Sequence, residues 1–211
     1  MEIALDGKPL PLRRREQPAR LIAYYKPEGE LVTRSDPQGR ATVFERLPRL
    51  REGRWIAVGR LDLNSSGLLL LTDSGELANR LMHPSAGLER EYAIRVLGEL
   101  SADAERRLLS GVLLEDGEAR FSRLEPMERG RGQSANRWYR AVLGEGRKRE
   151  VRRLFEAVGR KVSRLIRIRY GALHLPRSLK PGHWIEVTPE EVLRPAGSAP
   201  RRGVVQTAKN G

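Results

Sequence analysis

The chain of 211 residues contains no cysteine. That absence excludes disulfides, thiolate-ligated zinc and cysteine nucleophiles together. Histidine is nearly as scarce. His83, His174 and His183 stand in unrelated contexts without metal-ligand spacing, so no metal is expected. Aromatic residues make up 5% of the chain, too few for a platform that stacks several bases. No apolar run approaches the roughly 18 residues of a membrane-spanning helix. The N-terminus, Met1-Glu2-Ile3-Ala4-Leu5-Asp6-Gly7-Lys8, lacks a secretory signal's apolar stretch, and a cytoplasmic location is expected. Neither a P-loop nor a dinucleotide fingerprint occurs, because the glycines within Glu128 to Asn136 have the wrong spacing.

Positive charge is abundant instead. Lys and Arg total 40 against 27 acids, for a formal net charge of +13. Such a chain is expected to bind a polyanion. A membrane surface competes for that role, but no amphipathic helix has a clean basic face. The length allows one large or two small domains.

Taken in order, Ile3 to Leu10 reads as a strand with an Asp6-Gly7 turn, followed by the basic Arg13-Arg14-Arg15. Arg20 to Tyr25 reads as a strand ending at Lys26-Pro27-Glu28-Gly29. A short helix is expected over Val43 to Leu47. Trp55 to Val58 and Gly67 to Leu71 have the length and bounded ends of buried strands. Asp73 is a plausible N-cap for a helix with Leu77, Leu81 and Met82 on its apolar stripe. Glu91 to Val96 alternates as a strand, with Tyr92, Ile94 and Val96 on one face. Ser101 caps a helix ending at Gly111, and Val112 to Leu124 forms a hairpin around Glu115-Asp116-Gly117. A flexible tip is expected over Glu128 to Asn136, then a strand over Trp138 to Leu143. Val151, Leu154, Phe155 and Val158 keep helical spacing up to Gly159. Strands follow at Val162 to Tyr170 and around Trp184 to Thr188. From Pro195 the composition is that of a disordered basic tail. Without a regular strand-helix-strand repeat, an α+β architecture around a mostly antiparallel sheet of about eight strands fits best.

Between the two buried strands lies Gly59-Arg60-Leu61-Asp62-Leu63-Asn64-Ser65-Ser66. A carboxylate in a short loop between core strands is held rigidly and aimed. Taken alone, Asp62 reads equally as a turn cap. The whole string, with Gly67-Leu68-Leu69-Leu70-Leu71-Thr72, resembles the active-site motif of the pseudouridine synthases, in the RsuA/RluB branch. Two further stretches carry the resemblance: Glu89-Arg90-Glu91-Tyr92, and Glu145-Gly146-Arg147-Lys148-Arg149-Glu150-Val151-Arg152-Arg153-Leu154-Phe155 with Ser163 to Gly171 downstream. It extends from roughly Leu21 to Leu193.

The resemblance implies the pseudouridine synthase catalytic fold over 19–194, its active site in a central cleft. It implies a remnant of an S4-like RNA-binding domain, or a plain linker, over 1–18, and leaves 195–211 as tail. It implies isomerisation of a uridine to pseudouridine without any cofactor, closest to the enzymes that modify 23S (large-subunit) ribosomal RNA. The partner would be that RNA or a ribosome assembly intermediate, and the protein a monomer. Asp62 corresponds to the catalytic carboxylate, Arg152 to its basic ion-pair partner, and Tyr92 to the active-site tyrosine. Leu165 matches the apolar position beside the base. Arg60 is placed to fill the space a flipped uridine leaves or to hold the flanking phosphate. Arg147, Lys148, Arg149, Arg153, Arg164 and Arg167 would contact phosphates. Another rRNA or tRNA uridine is the alternative substrate. A non-catalytic RNA- or ribosome-binding protein is the alternative class, and a metal-dependent nuclease lacks the clustered acids it would need.

Overall fold

The computed structural model describes residues 18–127 and 135–194, together with the backbone of residues 4–5 and 8–9. Apart from that backbone and Pro18, the N-terminal remnant or linker lies outside the described residues. So do residues 128–134 of the flexible tip expected over Glu128 to Asn136, and the basic tail from 195; Asn136 itself opens a strand.

Short strands β1 (Ala4–Leu5) and β2 (Lys8–Pro9) pair antiparallel across the Asp6-Gly7 positions. Next come β3 (Leu21–Lys26), a 3₁₀ turn (Val43–Arg46), β4 (Ile56–Val58), β5 (Ser66–Thr72), α1 (Gly75–Met82) and a second 3₁₀ turn (Pro84–Ala86). Then follow β6 (Arg90–Leu97), α2 (Ala102–Ser110), β7 (Val112–Leu114), β8 (Gly117–Ala119), β9 (Arg123–Pro126) and β10 (Asn136–Leu143). The described part ends with α3 (Glu150–Ala157), β11 (Val162–Tyr170), β12 (Leu173–His174), β13 (Trp184–Val187) and α4 (Pro189–Leu193). Nine strands make one sheet in the order β13-β3-β5-β11-β6-β10-β9, with β12 on β11 and β4 on β5. The α+β expectation and the antiparallel majority hold. Only β5 and β11 run parallel.

The leucine run of β5 follows from its central position. Leu69 and Leu71 pack on one face with Ile22, Tyr24, Ile94 and the Val151, Leu154 and Phe155 of α3. Leu68 and Leu70 pack on the other with Leu21, Ala23, Tyr170, and the Leu77, Ala78 and Leu81 of α1. A strand covered on both faces needs apolar residues at every position, not at alternate ones. Each buried leucine contributes about 1.5–3 kcal/mol. Gly67 makes the parallel pairing possible. Its φ is +106°, and a Cβ there would lie 2.2 Å from the Arg167 carbonyl oxygen.

Two local expectations are corrected. Ser74, not Asp73, caps α1, accepting from the Leu77 N–H at 3.2 Å. The Asp73 carboxylate is taken by the Arg20 N–H at 3.0 Å. The 112–124 hairpin ends at Ala119, because β9 pairs with β10 instead. Ser101 caps α2 as expected, accepting from the Ala104 N–H.

Candidate active site

Asp62 sits on the seven-residue loop, 59–65, between β4 and β5, and every carbonyl of residues 62–65 is held. The Asp62 oxygen accepts from the Ser65 N–H at 3.0 Å, and the Leu63 oxygen from the Gly29 N–H at 2.9 Å. The Asn64 oxygen accepts from Arg152 Nη2 at 2.7 Å. The Ser65 oxygen accepts from Lys26 Nζ, also at 2.7 Å. Donors from three separate segments therefore immobilise the loop backbone, which is the support a precisely aimed side chain requires. The carboxylate itself is half-buried and makes no ion pair or hydrogen bond among the described residues. It is left free for whatever enters.

What it faces is a cleft of about 980 Å³. Asp62, Arg60, Tyr92, Leu165, Arg147, Lys148 and Arg149 all line it, so most of the expected site residues come together. Tyr92 and Leu165 are buried members of the core that reach the cleft wall from β6 and β11. Arg60 is exposed at its edge. The wall includes six basic residues, the four above with Arg90 and Arg167, against Asp62, Glu145 and Glu150. The excess suits a polyanion.

Arg152 and Arg164 depart from expectation. Arg152 is buried and forms no direct ion pair with Asp62. Its guanidinium donates to the carbonyls of Val162 (3.0 Å) and Asn64 (2.7 Å). Burial, helped by repulsion from Arg149, pulls its pKa down, and the Asp62 charge opposes that. It acts on the carboxylate through the loop backbone and through space. Arg164 lies outside the cleft, exposed, 3.7 Å from Glu28.

Two expected phosphate ligands are already engaged within the fold. Arg153 makes a bidentate pair with Asp116 at 2.6 and 2.9 Å. Arg147 donates to Glu145 and to the Glu118 carbonyl. Together they clasp the β7–β8 turn. Lys148 and Arg149 stay exposed. Arg149 has φ +52°, the one non-glycine in the left-handed region among the described residues. Such a conformation costs about 1–2 kcal/mol and turns the basic loop into α3.

Lys26 was missed because a lysine before proline reads as a turn residue. It is fully buried, with Nζ on the Pro27 and Ser65 carbonyls. Burial lowers its pKa from 10.5 to about 8, opposed by the charges of Glu30 and Asp62. An unfolded chain keeps that proton to higher pH than the folded one, so this residue makes stability rise as pH climbs from about 8 toward 10.5. The melting temperature of the parent relative to Lys26→Met is expected to increase across that window. A constant difference would place the lysine in water.

These features define a basic cleft built around one free carboxylate, on a mostly antiparallel sheet packed with helices on both faces. The family profile for RNA pseudouridylate synthase matches residues 20–157, and the chain belongs to that family. Among curated relatives, the ribosomal large subunit pseudouridine synthase B of Yersinia pestis is 57% identical over 88% of this chain and 58% of its own length. That of Escherichia coli (strain K12) is 57% identical over 89% and 64%. The chain thus spans about three fifths of the length of these relatives. A pseudouridylate synthase crystal structure aligns with a TM-score of 0.70 at 24% identity, covering 83% of this chain and 73% of that one. An H/ACA RNP bound to a substrate RNA containing 2′-deoxyuridine aligns at 0.56 and 17%, covering 77% and 50%. At these identities the structural likeness speaks to the fold alone.

Proposed function

We propose that this chain isomerises a specific uridine of large-subunit ribosomal RNA to pseudouridine, with Asp62 as the catalytic carboxylate. The observation that carries the reading is the free Asp62 carboxylate on a loop whose 62–65 carbonyls are all held, in one basic cleft with Tyr92 and Leu165. Family membership and the relatives' being ribosomal large subunit pseudouridine synthases support it. The reaction breaks the N1–C1′ bond, turns the uracil and joins C5 to C1′. C5 then loses its proton and N1 gains one, so nothing is oxidised and no group is imported. Asp62 serves either by adding to the nucleoside or by taking a ribose proton, and both roles need it ionised. Lys26 and Arg152 are the buried cations that interact electrostatically with it. Tyr92 stacks on the base and Leu165 packs beside it. Arg60 occupies the place the uridine vacates; leaving the stack costs a few kcal/mol.

The test uses large-subunit ribosomal RNA transcribed without modifications. Incubation with the protein, carbodiimide labelling and primer extension should give one strong new stop at a uridine. Equal stops on small-subunit RNA or tRNA would overturn the substrate assignment. Binding without any stop would favour a non-catalytic RNA-binding protein.

A further inference from the structure

Two arginines of β11 are buried to a similar degree, and only one of them is neutralised. Arg169, 8% exposed, donates to Glu91 at 2.7 Å, to Glu89 at 3.1 Å and to the Gly171 carbonyl at 2.8 Å. Two carboxylates offset the desolvation of its charge. Arg167, 3% exposed, donates Nε to the Leu68 carbonyl at 2.7 Å, while its buried Nη2 has no partner. No carboxylate pairs with it among the described residues.

A second guanidinium stands nearby. The Arg167 Cζ lies 5.2 Å from the Tyr170 ring centroid, and the Arg90 Cζ lies 5.0 Å from the same centroid. Arg90 is held by the Leu88 and Gly144 carbonyls and by the Tyr170 hydroxyl, and it too has no carboxylate partner among the described residues. All three side chains line the cleft. Two like charges sharing one ring without a counter-charge repel each other, and burying either alone is costly. The tyrosine face returns a small part of that cost. The rest is recovered when an anion arrives.

We propose that Arg167 and Arg90, stacked on Tyr170, form the subsite for a backbone phosphate next to the flipped uridine. The inference rests on the RNA-uridine reading above. A phosphodiester supplies the full negative charge and paired oxygens that a guanidinium fork matches, whereas a uracil carbonyl would leave the buried charge uncompensated. The location fits an adjacent nucleotide. Arg167 pairs in register with Tyr92 on β6 and with Gly67 on β5, the strand leaving the Asp62 loop. The sequence suggested Arg167 as one more surface phosphate contact; burial beside Tyr170 makes it a fixed one.

The experiment measures binding of the full chain to the unmodified large-subunit RNA between 50 and 200 mM salt, the interval over which counterion release is large. Arg167→Met should weaken binding about ten- to a hundredfold, as loss of one charge-assisted contact implies. The log–log salt slope should become shallower by about one phosphate. Its melting temperature should not fall, because an unneutralised buried cation is gone. Arg167→Gln, which keeps a donor for Leu68, should show the same change in slope and serves if the methionine variant does not fold. Arg167→Lys should restore most of the slope. An unchanged slope in the neutral variants, whether accompanied by a lower melting temperature or by a lower yield of pseudouridine, overturns the proposal. Pseudouridine formation by the parent on the same RNA reports separately on the enzyme reading. A changed slope with no pseudouridine would sink that reading and leave the anion subsite in place.

Discussion

Asp62→Asn is expected to lower pseudouridine formation by at least about 10³-fold, the scale of losing a reacting carboxylate. Affinity for the RNA should stay within about threefold. So should the fold: the carboxylate makes no hydrogen bond or ion pair among the described residues, and the near-isosteric amide breaks none. The loop stays in place because its anchors are the four backbone carbonyls, none of which the substitution touches. Turnover per bound RNA and melting temperature, measured on one preparation, separate chemistry from folding. Activity within about tenfold of the parent would remove Asp62 from the reaction. A large drop in melting temperature would mean that the carboxylate holds structure instead, the turn-capping role that the residue alone allowed.

How much of this was legible in the sequence depends on the kind of interaction. Strands with bounded apolar runs and the α3 stripe were readable because burial imposes a period, and β5 because a strand covered on both faces becomes continuously apolar. That Asp62, Tyr92 and Leu165 share one cleft was readable because the strings around them are specific. What charges do was not readable, since residue type does not name a partner. Arg147 and Arg153 look alike with Lys148 in one basic run, yet Asp116 and Glu145 claim the first two from outside or beside the run. Arg167 and Arg169 alternate identically along β11, yet only Arg169 meets acids, because the register sets Glu91 opposite it. The parallel contact of β5 with β11 was hidden for the same reason. It depends on a glycine accepting a close approach from a strand about a hundred positions away, and the sequence shows only the glycine.

Arg152→Met is expected to remain folded and yet to lose about 10²-fold in rate. The stability terms oppose each other. The substitution leaves the Val162 carbonyl without its donor, at about 1–3 kcal/mol, while the Asn64 carbonyl, on an exposed residue, can turn to water. Against this, the guanidinium is buried with Nε unpartnered and no carboxylate in contact, and removing it relieves a desolvation penalty of several kcal/mol. The two terms nearly cancel, so the melting temperature should move by only a few degrees. Catalysis has no such compensation. The loop loses one of its four anchors, and Asp62 loses one of the two buried cations whose fields reach it. A displacement of the carboxylate by about 1 Å is enough for a 10²-fold effect. Arg152→Lys keeps the charge but not the forked geometry that spans two carbonyls, and should recover part of the rate. If Arg152→Met instead melts far below the parent while its folded fraction works at the parent's rate, the residue is a fastener of α3 to β11 and plays no part in aiming Asp62.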